Sequence, residues 1–156
     1  MRVIVTLLTI SSVTILGGCD SLYGVSRYTP VGEVRLPIEC MIEATKAVSG
    51  VSGVEHRIEQ GGRELTLSGV QQPETIDRFL YSYDGLHGNF YFRTNYKGVV
   101  EFHHTYIDIN RRPAQSEIDR IRPAMIEIEN SIRKRCDVDL STKAIESCIE
   151  VTCGGV

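Results

Sequence analysis

Residues 38–48 carry apolar positions at helical spacing: Ile38, Met41, Ile42 and Val48 form one stripe, and Cys40, Ala44 and Ala47 widen it round the other side. Pro37 stands where a helix start tolerates proline. After Ser49-Gly50-Val51-Ser52-Gly53 the period changes to alternation. Residues 54–59 and 64–70 flank Gln60-Gly61-Gly62-Arg63, a glycine pair suited to a hairpin turn. Aromatic and β-branched runs follow at 78–83, 89–94 and 99–109, separated by Asp84-Gly85 and by residues 95–98. These predict about five antiparallel strands, largely a meander. From Arg112-Pro113 to about Cys136 the period is helical again, with Ile118, Ile121, Met125, Ile128, Ile132 and Cys136 at spacings of three and four. Pro123 falls inside that stripe and predicts a kink or break. A short helix is expected over 142–147. The sum is an α+β domain, an antiparallel sheet packed with an N-terminal helix and a long C-terminal helix, both covering one sheet face.

The start of the chain has a different pattern. Arg2 precedes an apolar stretch from Val3 to Leu16, softened by threonines and serines, and Gly17-Gly18 follow. A charged start, a short apolar run and a small-residue pair are the parts of a secretory signal, and the run is too short to span a bilayer. Cys19 comes directly after the glycines. Leu16-Gly17-Gly18-Cys19 resembles the lipobox of bacterial lipoproteins, a family of signals rather than of folds, and the resemblance covers only the first twenty residues. It implies that the Cys19 thiol receives a diacylglycerol, that cleavage precedes it, and that its new amino group can be acylated in turn. The thiolate is the nucleophile such chemistry needs. Two or more acyl chains hold a protein stably on a membrane without crossing it. Asp20 in the next position implies, by the enterobacterial form of the signal, retention at the inner membrane.

On that reading 1–18 is the signal peptide, 19–36 the lipidated N-terminus and tether, and 37–156 a single periplasmic domain. The tether is expected because residues 20–36 contain glycines and a proline and show no sustained periodicity. Removing 1–18 takes away one charged side chain, Arg2, so the formal charge goes from −3 to −4. A mildly acidic chain is a poor nucleic-acid binder, and Arg111-Arg112 and Arg133-Lys134-Arg135 read as solvated faces.

With Cys19 assigned to lipid, Cys40, Cys136, Cys148 and Cys153 remain of the five cysteines. An even number in an oxidising compartment suggests two disulfides. Cys148 and Cys153 are close enough for a local bridge, which leaves Cys40 to join Cys136. Without a C-x-x-C pair, zinc is not expected.

Candidate chemistry is sparse. On one strand Glu101 and His103 share a face while Phe102, His104 and Tyr106 take the other. Glu101 with His103 could be a base and its orienting partner, or bind a metal with His56 or His87; the bland alternative is a solvated polar face. Tyr81, Tyr83 and Tyr106 could line a ligand face, or form core beneath the helices. No nucleophile elbow, zincin motif or phosphate-cradling loop occurs, and no cofactor is expected. The reading that results is a lipid-anchored, non-catalytic envelope module. Its partners would be membrane lipid through acylated Cys19 and another envelope protein, an inhibitor or immunity role being one variant. A small-ligand sensor and an enzyme using Glu101, His103 and His87 are the alternatives.

Overall fold

The computed structural model describes residues 23–31, 37–60, 75–94, 100–108, 111–140 and 144–149. In chain order these form β1 (Tyr23–Val31), α1 (Ile38–Lys46), β2 (Val51–Gln60), β3 (Thr75–Tyr83), β4 (Leu86–Thr94), β5 (Val100–Asp108), α2 (Gln115–Arg135) and β6 (Ile145–Ile149). The fold class is α+β. Six strands make one antiparallel sheet in the order β2-β3-β4-β5-β1-β6, of which β2 to β5 run as a meander with β2 paired directly to β3.

Asp84 and Gly85 join β3 to β4 with φ of 48° and 75°, the left-handed pair that a two-residue hairpin requires. α2 runs through Pro123 without division, and Pro123 itself is exposed. A proline inside a helix costs about 3 kcal/mol. Full burial of Ile118, Ile121, Met125, Ile128 and Ile132 along the opposite stripe outweighs it, at about 1.5–3 kcal/mol per large apolar side chain. At the start of α2 the Glu117 carboxylate accepts the Ala114 N–H at 2.8 Å, which satisfies one of the otherwise open donors.

Two expectations are corrected. Tyr23–Val31, read within the tether, is an interior strand paired along its whole length with β5 and over Gly24–Tyr28 with β6. Its inward positions are Val25, Arg27, Thr29 and Val31, an alternation that a charged residue in its second place and Pro30 disguise. Residues 145–149, expected partly as helix, form β6, which completes the sheet beside β1. The lipobox and the segment 64–70 lie outside the described residues. β2 pairs instead with β3, Gln60 opposite Thr75.

Both helices cover the face that carries Phe79, Phe90, Phe92 and Phe102. α1 and α2 are joined by the Cys40–Cys136 disulfide, with Cα atoms 5.6 Å apart, and by Ser131 Oγ donating to the Ala44 carbonyl at 2.7 Å. Cys148 is also disulfide-bonded, and the expected Cys148–Cys153 pairing lies outside the described residues. Cys40 and Cys136 are 96 residues apart, so their bridge removes much loop entropy from the unfolded chain. Replacing both with serine should lower the free energy of unfolding in urea by about 2–4 kcal/mol. An unchanged midpoint would show that the bridge does not hold α1 to α2.

Candidate functional site

Two groups of polar and aromatic side chains stand on opposite faces of the sheet. On the helix-covered face a chain of polar groups crosses the core. His104 is fully buried on β5. Its Nδ1 lies 3.1 Å from Glu129 Oε1 on α2, and its Nε2 lies 2.7 Å from the Tyr81 hydroxyl on β3. A carboxylate only accepts, so Nδ1 carries the proton and donates to Glu129, and Nε2 accepts from Tyr81. Arg27 on β1 donates from Nε and Nη2 to the two Glu129 oxygens at 2.9 and 3.1 Å, and from Nη1 to Glu146 on β6. Arg122 Nε stands 2.7 Å from Glu146 Oε1 without hydrogen-bond alignment, which makes that contact ionic. Two arginines and two glutamates balance, provided His104 is neutral. Burial pushes its pKa below the usual value; the Glu129 carboxylate works against burial and the Arg27 charge with it. Burial alone would raise the Glu129 pKa, but His104 and Arg27 outweigh it and hold it at about 2. Burial, with the Glu129 charge, raises the Tyr81 pKa and keeps that hydroxyl protonated.

The local sequence makes room for this chain. Gly88 on β4 faces Tyr81, and a Cβ there would lie 2.3 Å from the Tyr81 hydroxyl oxygen. The chain also divides the core. Val31, Phe102 and Ile128 belong to the cluster at the disulfide end, whereas Val25, Tyr106 and Met125 belong to a second cluster; Arg27 and His104 fall between them on their strands. No atom of His104 reaches solvent, so the arrangement positions elements rather than presenting a reactive group.

The outward face, which neither helix covers, carries an aromatic and cationic row across the strands. The Arg78 guanidinium carbon lies 4.6 Å from the centre of the Tyr91 ring. Tyr91 stacks on His103 at 4.9 Å with 3° between planes, and Tyr28 stacks on the other side at 6.1 Å. Register places these residues opposite one another: Arg78 with Tyr91, Tyr91 with His103, His103 with Tyr28, Tyr28 with Ile145. Arg78 is fixed by Glu59 at 2.8 Å and Asn89 at 2.7 Å. Glu101 Oε2 is 3.2 Å from His103 Nε2. Ile145 at the end of the row is 52% exposed.

The expected site residues therefore separate. Glu101 and His103 meet on the outward face. Tyr81 and Tyr106 are buried beneath α2, and half-buried Tyr83 lines an open cleft of about 380 Å³ with Gly50, Asp84 and Arg120. His87 pairs with Ser82 at 2.9 Å, His56 with Asp77 at 2.7 Å, and neither is brought to Glu101 or His103. Among the described residues no group of three or more His, Cys, Asp or Glu side chains is placed to hold a metal ion. Sequence reasoning missed Arg27, Glu129 and Glu146. The available signal was two charges inside apolar patterns, Arg27 between Val25 and Val31, and Glu129 between Met125 and Ile132. Compared with known proteins, the chain matches no family model, no curated protein and no solved structure.

Acid should act on the buried chain in two stages. In the unfolded chain His104 binds a proton near pH 6.5 that the folded state refuses, so stability falls as pH drops below that value. Glu129, held at about 2 when folded, adds about 3 kcal/mol above its unfolded pKa, and this is lost as pH falls from about 4.5 towards 2. Urea midpoints across that range would read both; a flat profile between pH 7 and 3 would contradict the assignment. Tyr81→Phe leaves His104 Nε2 without its donor and should cost about 1–3 kcal/mol. Gly88→Ala should cost a similar amount by displacing the Tyr81 ring. Stabilities equal to the parent in both variants would exclude the hydrogen bond.

Proposed function

We propose that the chain is a lipid-anchored cell-envelope protein whose domain, on the periplasmic side of the membrane, acts as a non-catalytic module that binds another envelope protein. The observation that carries this reading is the sheet face that neither helix covers, with Arg78, Tyr91, His103 and Tyr28 in one stacked row. Tyrosine and arginine held rigid by stacking and in-plane hydrogen bonds are the residue types that dominate protein interfaces, because little side-chain freedom is left to lose on association. The Leu16-Gly17-Gly18-Cys19 pattern supports the anchor, and the Cys40–Cys136 disulfide fits an oxidising compartment. No helix among the described residues is long and apolar enough to cross a membrane. The Glu101–His103 pair stands on the face that neither helix covers, apart from His87 and His56, so the three-residue arrangement an enzyme would need is not assembled there. The small-ligand alternative has one observation in its favour, the Tyr83 cleft, but there Arg120 is already engaged by Asp84.

The test is photo-crosslinking in intact envelopes of the source bacterium, with a photoreactive residue placed at Tyr91 or, as a control, at Glu127 on exposed α2. A discrete adduct from position 91 alone, lost with Arg78→Glu and with Cys19→Ala, is the expected result. Adducts of equal yield from both positions, or none from position 91 in correctly localised protein, would refute this use of the face.

A further inference from the structure

The position of β1 fixes how the domain meets the membrane. If residues 20–36 were all tether, the domain could wander through a shell about 60 Å deep at full extension. Instead Tyr23 is already a sheet residue, and only Asp20, Ser21 and Leu22 separate it from Cys19. Four Cα steps reach at most about 14 Å. β1 itself is about 30 Å long, twice that reach.

We propose that the acylated Cys19 seats the domain end-on against the phospholipid bilayer, with the Tyr23 end of the sheet at the lipid surface and the Cys40–Cys136 end pointing away. The inference rests on the lipid anchor of the proposed function and adds the surface that faces the lipid. Antiparallel register identifies what shares that end. Tyr23 is level with Asp108 at the end of β5, Gly24 with Ile149 at the end of β6, and the Asp84-Gly85 turn caps β3 and β4 on the same side. Arg120 on the first turns of α2 binds Asp84, which places the start of that helix at this end too. The opposite end holds Val31, which is bridged to Leu140, and Cys136.

Charge does not explain the seating. Arg111 is paired with Glu117 and Arg120 with Asp84, so these arginines are largely neutralised for anionic headgroups. On the outward face Arg57 and Arg78 are paired with Glu55 and Glu59, and among the described residues Ile145 is the large apolar side chain exposed there, so those residues offer little to lay that face flat on lipid. The length of the link decides the orientation. Its consequence is that the row from Arg78 to Tyr28 stands upright and faces sideways, toward proteins in or on the same membrane.

The test uses the full-length lipidated protein in vesicles of phosphatidylethanolamine and phosphatidylglycerol that carry a headgroup-attached energy acceptor. A fluorescent residue is introduced singly at Ser116, Lys134 or Arg57, all exposed. Ser116 and Lys134 lie about 27 Å apart along α2. Transfer from Ser116 should exceed that from Lys134 several-fold, with Arg57 below Ser116. A flexible Gly/Ser insertion between Ser21 and Leu22 should erase the difference. Equal transfer at Ser116 and Lys134, strongest transfer at Arg57, or a difference that survives the insertion would overturn end-on seating. Co-sedimentation with the vesicles is read first: protein that stays in solution fails the lipid anchor itself, whereas sedimenting protein without the gradient fails only the orientation.

Discussion

An ionised carboxylate beneath a helix is expensive, and Glu129 is such a group, 5% exposed on the buried stripe of α2. An uncompensated buried charge of this kind costs several kcal/mol. Here three strands contribute to its compensation: β1 brings the two-pronged Arg27, β5 brings neutral His104, and β3 supports His104 through Tyr81. β6 then supplies Glu146 to the remaining end of Arg27. One charge on a helix thereby dictates which strands lie beneath it and in what order. An apolar core would tolerate a shifted register far more readily, since hydrophobic contact is not directional.

That constraint is why the N-terminal segment belongs to the domain. Without Arg27 in place the Glu129 carboxylate would lose both hydrogen bonds from β1, so β1 cannot peel away as a free tether without stranding a charge. With the proposed anchor at Cys19, the link to β1 is consequently only three residues long, Asp20 to Leu22. The buried chain fixes the sheet from one side, and the side that neither helix covers carries a stacked row of half-buried aromatic and cationic side chains. The proposed interaction through that row, from a domain proposed to sit on lipid, would require no moving part and no reactive group.

Much of this was legible in the amino-acid pattern. α1, α2 and strands β3 to β5 stand where apolar period and turn residues put them, and the Cys40–Cys136 bridge is the pairing left once Cys19 is set aside and Cys148 is matched with nearby Cys153. β1 was illegible because its inward row holds Arg27 and Thr29, so alternation in hydropathy disappears just where alternation in burial is strict. β6 is five residues long, too short for any period to declare itself, and it exists because β1 offers it an edge. For the site, adjacency on β5 correctly separated Glu101 and His103 from His104 and Tyr106. Nothing in spacing could place Tyr91 and Tyr28 on either side of His103, because that depends on cross-strand register. Nor could spacing join Glu129 to a residue 102 positions earlier.

The most direct measurement is a double-mutant cycle on Arg27 and Glu129, with Arg27→Met, Glu129→Met and the pair compared by urea unfolding of the disulfide-intact protein. Arg27→Met leaves the buried Glu129 carboxylate with neutral His104 alone, and Glu129→Met leaves Arg27 with Glu146 alone, so each single change should cost about 3–5 kcal/mol. The pair should be far less damaging than the sum, recovering most of one single loss. Costs that simply add would mean that Arg27 and Glu129 do not depend on each other, and that β1 is held to the domain by something other than the buried charge.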